Sequence, residues 1–245
     1  MNALLLRLAG PMQSWGTQSR FEHRDTGLEP SKSGVLGLVC AALGRPRTTA
    51  VDDLAALRLD VRVDREGTVR RDFHTVLGVA GGDGKVGKYP AVTTRFYLAD
   101  ADFLVALSGP DLALLAAVEA ALRRPVWPLF LGRKAFVPAV PVHLPGAGGL
   151  RPGLDGPAAL RQEPWNPRRA DRPNRRGGEP DPPLRLRFVL EQPAGSAGGE
   201  RRLDQPGPGA AFADRVFLPR LVATEFRHVG GEAGDVPLGE PDARA

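Results

Sequence analysis

The chain has 245 residues, enough for one substantial hydrophobic core or two small ones. Apolar residues make up 42% of it, as is typical of globular proteins, and no apolar run reaches the roughly 18 residues of a transmembrane helix. The single cysteine, Cys40, excludes an intrachain disulfide, and Arg7 interrupts the N-terminal apolar run, so we expect no signal peptide. We therefore expect a cytoplasmic protein that does not contact membranes and in which Cys40 is a small core residue.

The net charge of +5 suits a polyanionic partner, because lysine and arginine neutralise phosphates and release counterions. Only four of the 33 basic residues are lysines, and alanine, glycine and proline are abundant. This composition also fits the codon bias of a GC-rich genome. The charge alone therefore does not identify nucleic acid as the ligand.

The first half of the chain begins with a strand and a helix. Residues 4–8 predict a buried strand that leads into a polar, glycine-flanked turn at 13–16. Ser31 or Ser33 is placed to start a helix that ends near Leu43, before Gly44-Arg45-Pro46. A polar turn that directly follows a buried strand is a suitable place to bind a ligand.

A hairpin, a strand region and a second helix follow. Residues 57–63 and 68–73 predict the hairpin, with its turn at 64–67. The strand region covers 93–107, and an amphipathic helix starts at Pro110-Asp111 and runs to about Arg124. The order strand, helix, hairpin, strand, helix predicts an α+β fold with a ferredoxin-like (RRM-like) sheet and helices on one face.

The second half is less regular. Proline, glycine and arginine dominate residues 145–183, which we interpret as a loop or insert between a domain at 1–144 and a smaller β-rich C-terminal part at 184–245. Residues 184–190 predict a strand, 193–209 a second loop, and 216–229 the last strands.

Two nucleotide-binding patterns overlap at residues 82–88, G-x-G-x-x-G and the start of a P-loop. Both require a helix directly afterwards, whereas residues 89–94 are extended in character. A basic, flexible hairpin is the better interpretation. The four histidines lack metal-ligand spacing, and we expect no metal or other cofactor. His74 remains a candidate general base for metal-independent RNA cleavage, or else a structural or RNA-contacting histidine.

Five segments in order, together covering roughly residues 3–143, resemble the CasD family, subunits of the type I-E CRISPR surveillance complex Cascade. They are LRLAGPMQSWG (6–16), PSKSGVLGL (30–38), DFHTVLG (72–78), TRFYLADADFLVAL (94–107) and LFLGRK (129–134). A weaker match follows at 215–231. The joint pattern is specific, although each segment alone is weak.

The resemblance implies a repeat-associated RNA-binding protein with a protruding thumb hairpin at about 75–94. It also implies a non-catalytic subunit that caps the 5′ handle of the CRISPR RNA (crRNA) in antiviral defence and contacts the backbone subunit CasC and the large subunit CasA. In a related subtype the family member is itself the processing endoribonuclease, so cleavage of precursor RNA is the alternative. A general RNA-binding module outside CRISPR is a third possibility.

The matched segments contain the candidate RNA-binding residues. The predicted turn offers amides, a hydroxyl and a stacking face, although Trp15 is equally explained as a core aromatic. The helix start offers amides, hydroxyls and a cation, although simple capping explains its serines. The full set is Gln13, Ser14, Trp15, Gly16, Ser31, Lys32, Ser33, His74, Lys85, Lys88, Arg95, Arg133 and Lys134.

Residues 145–183 depart from the family by their length and their arginine and proline content. This segment is expected to touch another subunit or the target DNA, or to be a lineage-specific loop.

Overall fold

A computed structural model describes residues 1–16, 22–80, 84–86, 90–165, 184–229 and 235–237. In these ranges the chain is an α+β protein whose sheets are mostly antiparallel. The elements in chain order are β1 (Asn2–Ala9), β2 (Met12–Gln13), β3 (His23–Arg24), α1 (Lys32–Leu43), α2 (Asp52–Ala55), β4 (Arg58–Arg65), β5 (Thr68–Val76), β6 (Ala91–Ala99), β7 (Asp102–Gly109), α3 (Leu112–Arg123), β8 (Leu150–Pro152), α4 (Gly156–Gln162), β9 (Arg185–Glu191), β10 (Glu200–Pro206) and β11 (Phe217–His228).

The larger sheet has seven strands in the order β10–β11–β9–β4–β7–β1–β8. Strand β1 lies inside it, between β7 and β8, and is buried on both faces. Because successive side chains point to opposite faces, Leu4, Leu6 and Leu8 enter one core and Ala3 and Leu5 the other. The predicted buried strand at 4–8 is therefore confirmed.

Helices α1 and α3 cover the first face of this sheet. Both contribute to the core that contains Leu4, Leu6 and Leu8, and Cys40 of α1 is buried there, as expected. Burial raises the pKa of the Cys40 thiol to about 11. Asp111 caps α3, because its Oδ1 accepts a hydrogen bond from the Leu114 amide at 2.9 Å. Both predicted helices are confirmed within one or two residues.

The other face of the larger sheet is covered by a segment that we expected to be a loop. Residues 150–152 form β8 and residues 156–162 form α4. Leu160 of α4 and Trp165 are buried in the second core. The sparse apolar residues of this arginine- and proline-rich stretch are sufficient to close the core. The remainder of the expected loop, 166–183, lies outside the described residues.

The predicted hairpin at 57–73 is wrong. Strand β4 pairs with β7 and β9 in the larger sheet, whereas β5 pairs with β6 in a second sheet. Residues 59, 61 and 63 of β4 are buried in the first core, but every residue of β5 is exposed. Gly67, at φ +72°, lies between the two sheets, so a sequence signal typical of a hairpin turn marks a change of sheet.

The predicted strand region at 93–107 likewise divides between the sheets, as β6 and β7. Residues 200–206, which we assigned to a loop, form β10 at the edge of the larger sheet. The predictions of a strand at 184–190 and of strand structure at 216–229 are confirmed by β9 and β11.

The smaller sheet has β6 at its centre. Strand β5 pairs with β6 along nine residues, while β2 and β3 pair with β6 at Leu98–Ala99 and Thr94–Arg95. None of the helices in the described ranges is long and apolar enough to span a bilayer.

Candidate nucleic-acid interface

Three arginines from separate segments meet on the smaller sheet: Arg24 in β3, Arg95 in β6 and Arg133 in the loop after α3. We call them the arginine cluster. Strand β3 pairs in parallel with β6, and Arg24 is the register partner of Arg95. Partners in neighbouring strands point to the same face, so the two guanidinium groups project from the same side.

The loop that carries Arg133 is anchored to the predicted turn. The Ser14 amide donates a hydrogen bond to the Leu131 carbonyl oxygen at 3.1 Å. Gly132 has φ +88°, and a Cβ there would collide with the Ser14 carbonyl oxygen. Only glycine therefore fits this close approach.

The Arg133 side chain is held by its own contacts. Its Nη2 donates a hydrogen bond to the Phe96 carbonyl oxygen at 2.8 Å, and its guanidinium carbon lies 5.5 Å from the centre of the Phe136 ring. These contacts fix the guanidinium beside β6 without neutralising it, because a carbonyl and a ring carry no net charge. Its position is thereby set before any ligand binds.

Arg133 lies close to the other charged groups of the cluster. Burial, followed by the positive charges of Arg95 and Arg24, lowers the pKa of Arg133, while Asp72 and Asp25 oppose the shift. The two neighbouring arginines thus act on Arg133 more strongly than these two carboxylates do. Like charges held together repel one another, so an anion bound at the cluster would lower its electrostatic energy.

Arg95 is the member best placed to accept a ligand. Its Nε donates to the Thr93 hydroxyl at 3.1 Å, and no ion pair with Arg95 occurs among the described residues. The terminal nitrogens of its half-buried guanidinium are the groups that grip phosphate oxygens in a forked geometry.

His74 is exposed and contacts Asp72, with its Nε2 2.6 Å from the carboxylate Oδ2. Asp72 is the register partner of Arg95, which places the His74–Asp72 pair beside the cluster. Lys134 and Lys85 are also exposed. Lys88 lies outside the described residues.

The turn at 13–16 is largely structural. Gln13 is fully buried, and its Nε2 donates hydrogen bonds to the Leu8 and Ala101 carbonyl oxygens at 3.0 and 2.8 Å. Its Oε1 accepts a hydrogen bond from Trp15 Nε1 at 3.1 Å, and Trp15 is only 1% exposed. In this structure Trp15 is the core aromatic that we kept as an alternative, and only Gly16 of the four predicted residues is exposed.

The start of α1 already holds anions supplied by the protein. The Lys32 amide donates to Asp204 Oδ2 at 2.7 Å, so a carboxylate lies where we expected a phosphate. The Lys32 side chain is 2% exposed, and its Nζ is paired with Glu191 Oε1 at 3.0 Å. Burial lowers the pKa of Lys32, although Glu191 opposes the shift. The expected exposed phosphate contact is therefore wrong for Lys32, a structural cation here.

The serines beside Lys32 have different environments. Ser31 is buried at the N-cap position of α1, but its side chain makes no capping hydrogen bond, and Ser33 is partly exposed. Simple capping by the hydroxyl, the alternative that we kept for Ser31, therefore does not occur here.

A cleft of about 290 Å³ lies between residues 27–31 and β10, beside Trp15. Two of its arginines are already neutralised: Arg202 pairs with Glu29 at 2.9 Å, and Arg220 pairs with Asp204 at 2.7 Å. These two arginines are thus held in ion pairs within the protein, whereas Arg95 and Arg133 form none with the residues that the structure describes.

Sequence reasoning named Arg95 and Arg133 separately as candidate RNA contacts but missed Arg24. The signal was the stretch that follows the turn, in which Arg24 is one of two arginines. Only the parallel pairing of the two-residue β3 with β6 brings Arg24 to Arg95. A strand this short has no periodicity from which to predict its pairing.

These features describe an α+β protein with a preformed cationic surface on its smaller sheet. The chain belongs to the family described as CRISPR-associated protein (Cas_Cas5), which it matches over residues 3–221. It is similar to the CRISPR system Cascade subunit CasD of Escherichia coli K12, with 37% identity over 155 residues, 58% of this chain and 69% of that relative.

Two solved structures agree with this assignment. A chain described as a crystal structure of a Cas protein is 40% identical, with a TM-score of 0.70, and the match covers 98% of this chain and 100% of that one. A chain of a CRISPR RNA-guided surveillance complex is 31% identical, with a TM-score of 0.71 and coverage of 96% and 95%. The sequence resemblance to CasD is therefore confirmed.

Proposed function

We propose that this protein is a non-catalytic RNA-binding subunit of a type I-E Cascade complex, and that it holds the 5′ handle of the crRNA in antiviral defence. The observation that carries the proposal is the arginine cluster. Three arginines separated along the sequence converge on one face, where the two arginines near Arg133 act on it more strongly than Asp72 and Asp25 do. A phosphodiester chain supplies anions that such an arrangement attracts.

The surface suits a single-stranded RNA. The cluster lies on a sheet built around one central strand, beside the exposed β5. Sequence-specific RNA recognition mostly uses single-stranded segments, whose phosphates and unstacked bases reach such a surface. A handle held at an end of the guide is a segment of this kind.

The fold supports the same proposal. Strands β8–β1–β7–β4 are neighbours in that order, and α1 and α3 pack on one face, which is the arrangement expected of a ferredoxin-like domain. We assign the tip of the β5–β6 ribbon and its connection to the thumb. CasC and CasA are the proposed partners in the cytoplasm, and target DNA would be met only through the assembled complex.

The alternative function, metal-independent cleavage of precursor RNA, is favoured by the His74–Asp72 contact. A carboxylate that orients an imidazole is suitable for a general base. Nearby arginines would stabilise negative charge in the transition state. Both groups of the pair are about half exposed, however, so nothing in the fold removes them from water.

One experiment separates the two functions. Labelled CRISPR repeat RNA is incubated with the full chain in EDTA, and retention and cleavage are followed together. We expect retained, intact RNA for the wild type and for His74→Ala. Site-specific cleavage by the wild type that disappears in His74→Ala would establish the endoribonuclease and refute the non-catalytic role.

A further inference from the structure

Phe73, in the middle of β5, is exposed although it is aromatic. Its relative exposure is 59%, and the guanidinium carbon of Arg71 lies 5.1 Å from the ring centre. This is a cation–π contact, in which the positive charge lies over the electron-rich face of the ring. Arg71 therefore supports the ring from one side and leaves much of it open.

The packing of the fold does not explain this position. Phe73 pairs in register with Thr94, and it belongs to neither hydrophobic core. Val69 and Val92, which lie on the same face of the ribbon, are 48% and 52% exposed. Exposed apolar groups that share one face are candidates for a binding surface.

The position of Phe73 relative to the arginine cluster indicates what binds there. Asp72 is the register partner of Arg95, so Phe73 is the next residue along β5 and points to the opposite face. In the described part of the chain, no strand pairs with the outer edge of β5. A nucleotide chain with a phosphate at Arg95 can therefore pass round this edge and bring a base to Phe73.

We propose that Phe73, backed by Arg71, stacks on one unpaired base of the RNA strand that the arginine cluster holds. This inference rests on the proposed function and adds a base-contacting residue to it. The arginine cluster positions the backbone, and Phe73 fixes which nucleotide lies at the edge of β5. Because any base can stack on an aromatic ring, the subsite selects for an unstacked base and not for the identity of that base. Arg71 beside the ring favours a nucleotide over an apolar protein segment.

The test combines a protein substitution with removal of single bases from the RNA. Affinity of the full chain is measured for intact repeat RNA and for a series in which one base at a time is abasic. For the wild type we expect one position whose loss weakens binding about 5- to 100-fold. Phe73→Leu, which keeps an apolar side chain on an exposed strand, should lose the same factor on intact RNA and no longer respond to that position. Phe73→Trp should keep both the affinity and the response.

The outcomes distinguish this inference from the proposed function. If Phe73→Leu binds every RNA as the wild type does, or still responds to the same abasic position, the stacking subsite is refuted. If the stacking subsite is refuted but Arg95→Gln weakens binding in the same experiment, the proposed RNA-binding function still stands. A wild-type chain that retains no RNA at low salt overturns both.

Discussion

Replacement of Lys32 by methionine should lower stability without removing a contact to RNA. Lys32 is paired with Glu191 in the interior, and loss of one partner of a buried ion pair costs about 3–5 kcal/mol. Glu191 keeps Arg220 at 3.4 Å and the Leu59 amide at 3.0 Å, so we expect the lower end, about 3 kcal/mol. For a chain of this size that corresponds to a fall in Tm of about 6–12 °C.

Thermal unfolding and RNA affinity are measured on the same preparations of Lys32→Met, and Lys134→Met is the control for thermal unfolding alone. Lys134 is exposed, so its substitution should leave the Tm within about 2 °C of the wild type. Folded Lys32→Met should bind RNA as the wild type does. An unchanged Tm together with a tenfold loss of RNA affinity would refute our interpretation, because it would mean that Lys32 reaches the RNA.

Two further substitutions test the fold around the site and its interior. Gly132→Ala should destabilise the protein by about 2–4 kcal/mol in urea unfolding and also weaken RNA binding, because the new Cβ collides with the Ser14 carbonyl. The control Gly153→Ala has a similar φ but open space, so it should cost only about 1–2 kcal/mol and leave RNA binding unchanged, and equal effects of the two would contradict this account. Burial raises the pKa of Asp60 to about 7, so the stability that its protonated form contributes is complete below about 3.8 and is lost as the pH rises through 7. At pH 8 the Asp60→Asn protein should therefore have a higher free energy of unfolding than the wild type. In urea unfolding this difference should shrink by up to about 1.4 kcal/mol per pH unit as the pH falls toward 4. A difference that does not change with pH would refute the assignment.

The elements predicted correctly are those with a strong local signal. Strand β1 is an apolar run from Ala3 to Ala9 that only Arg7 interrupts, and α1 and α3 combine helical spacing with recognisable ends at Gly44 and Asp111. The apolar residues of β1, α1 and α3 become buried once a sheet forms with helices on one face. Local sequence therefore carried most of the information about the central sheet and its helices.

The errors arose where distant residues decide the structure. The signal at Gly67 is compatible with either a hairpin or a change of sheet, and the partners of β4 lie in β7 and β9. Lys32 looked like a phosphate ligand because its partner, Glu191, is 159 residues away. Sequence spacing does not show which cations a fold neutralises internally.

The salt dependence of RNA affinity tests the central claim, that the arginine cluster binds RNA phosphates, most directly. For a single strand the slope of log K against log salt is about −0.7 per phosphate contact. Arg95→Gln should weaken binding and reduce the magnitude of this slope by about 0.7, whereas Arg123→Gln, on the exposed surface of α3, should change neither. An unchanged affinity and slope for Arg95→Gln, or an equal loss for Arg123→Gln, would contradict the account.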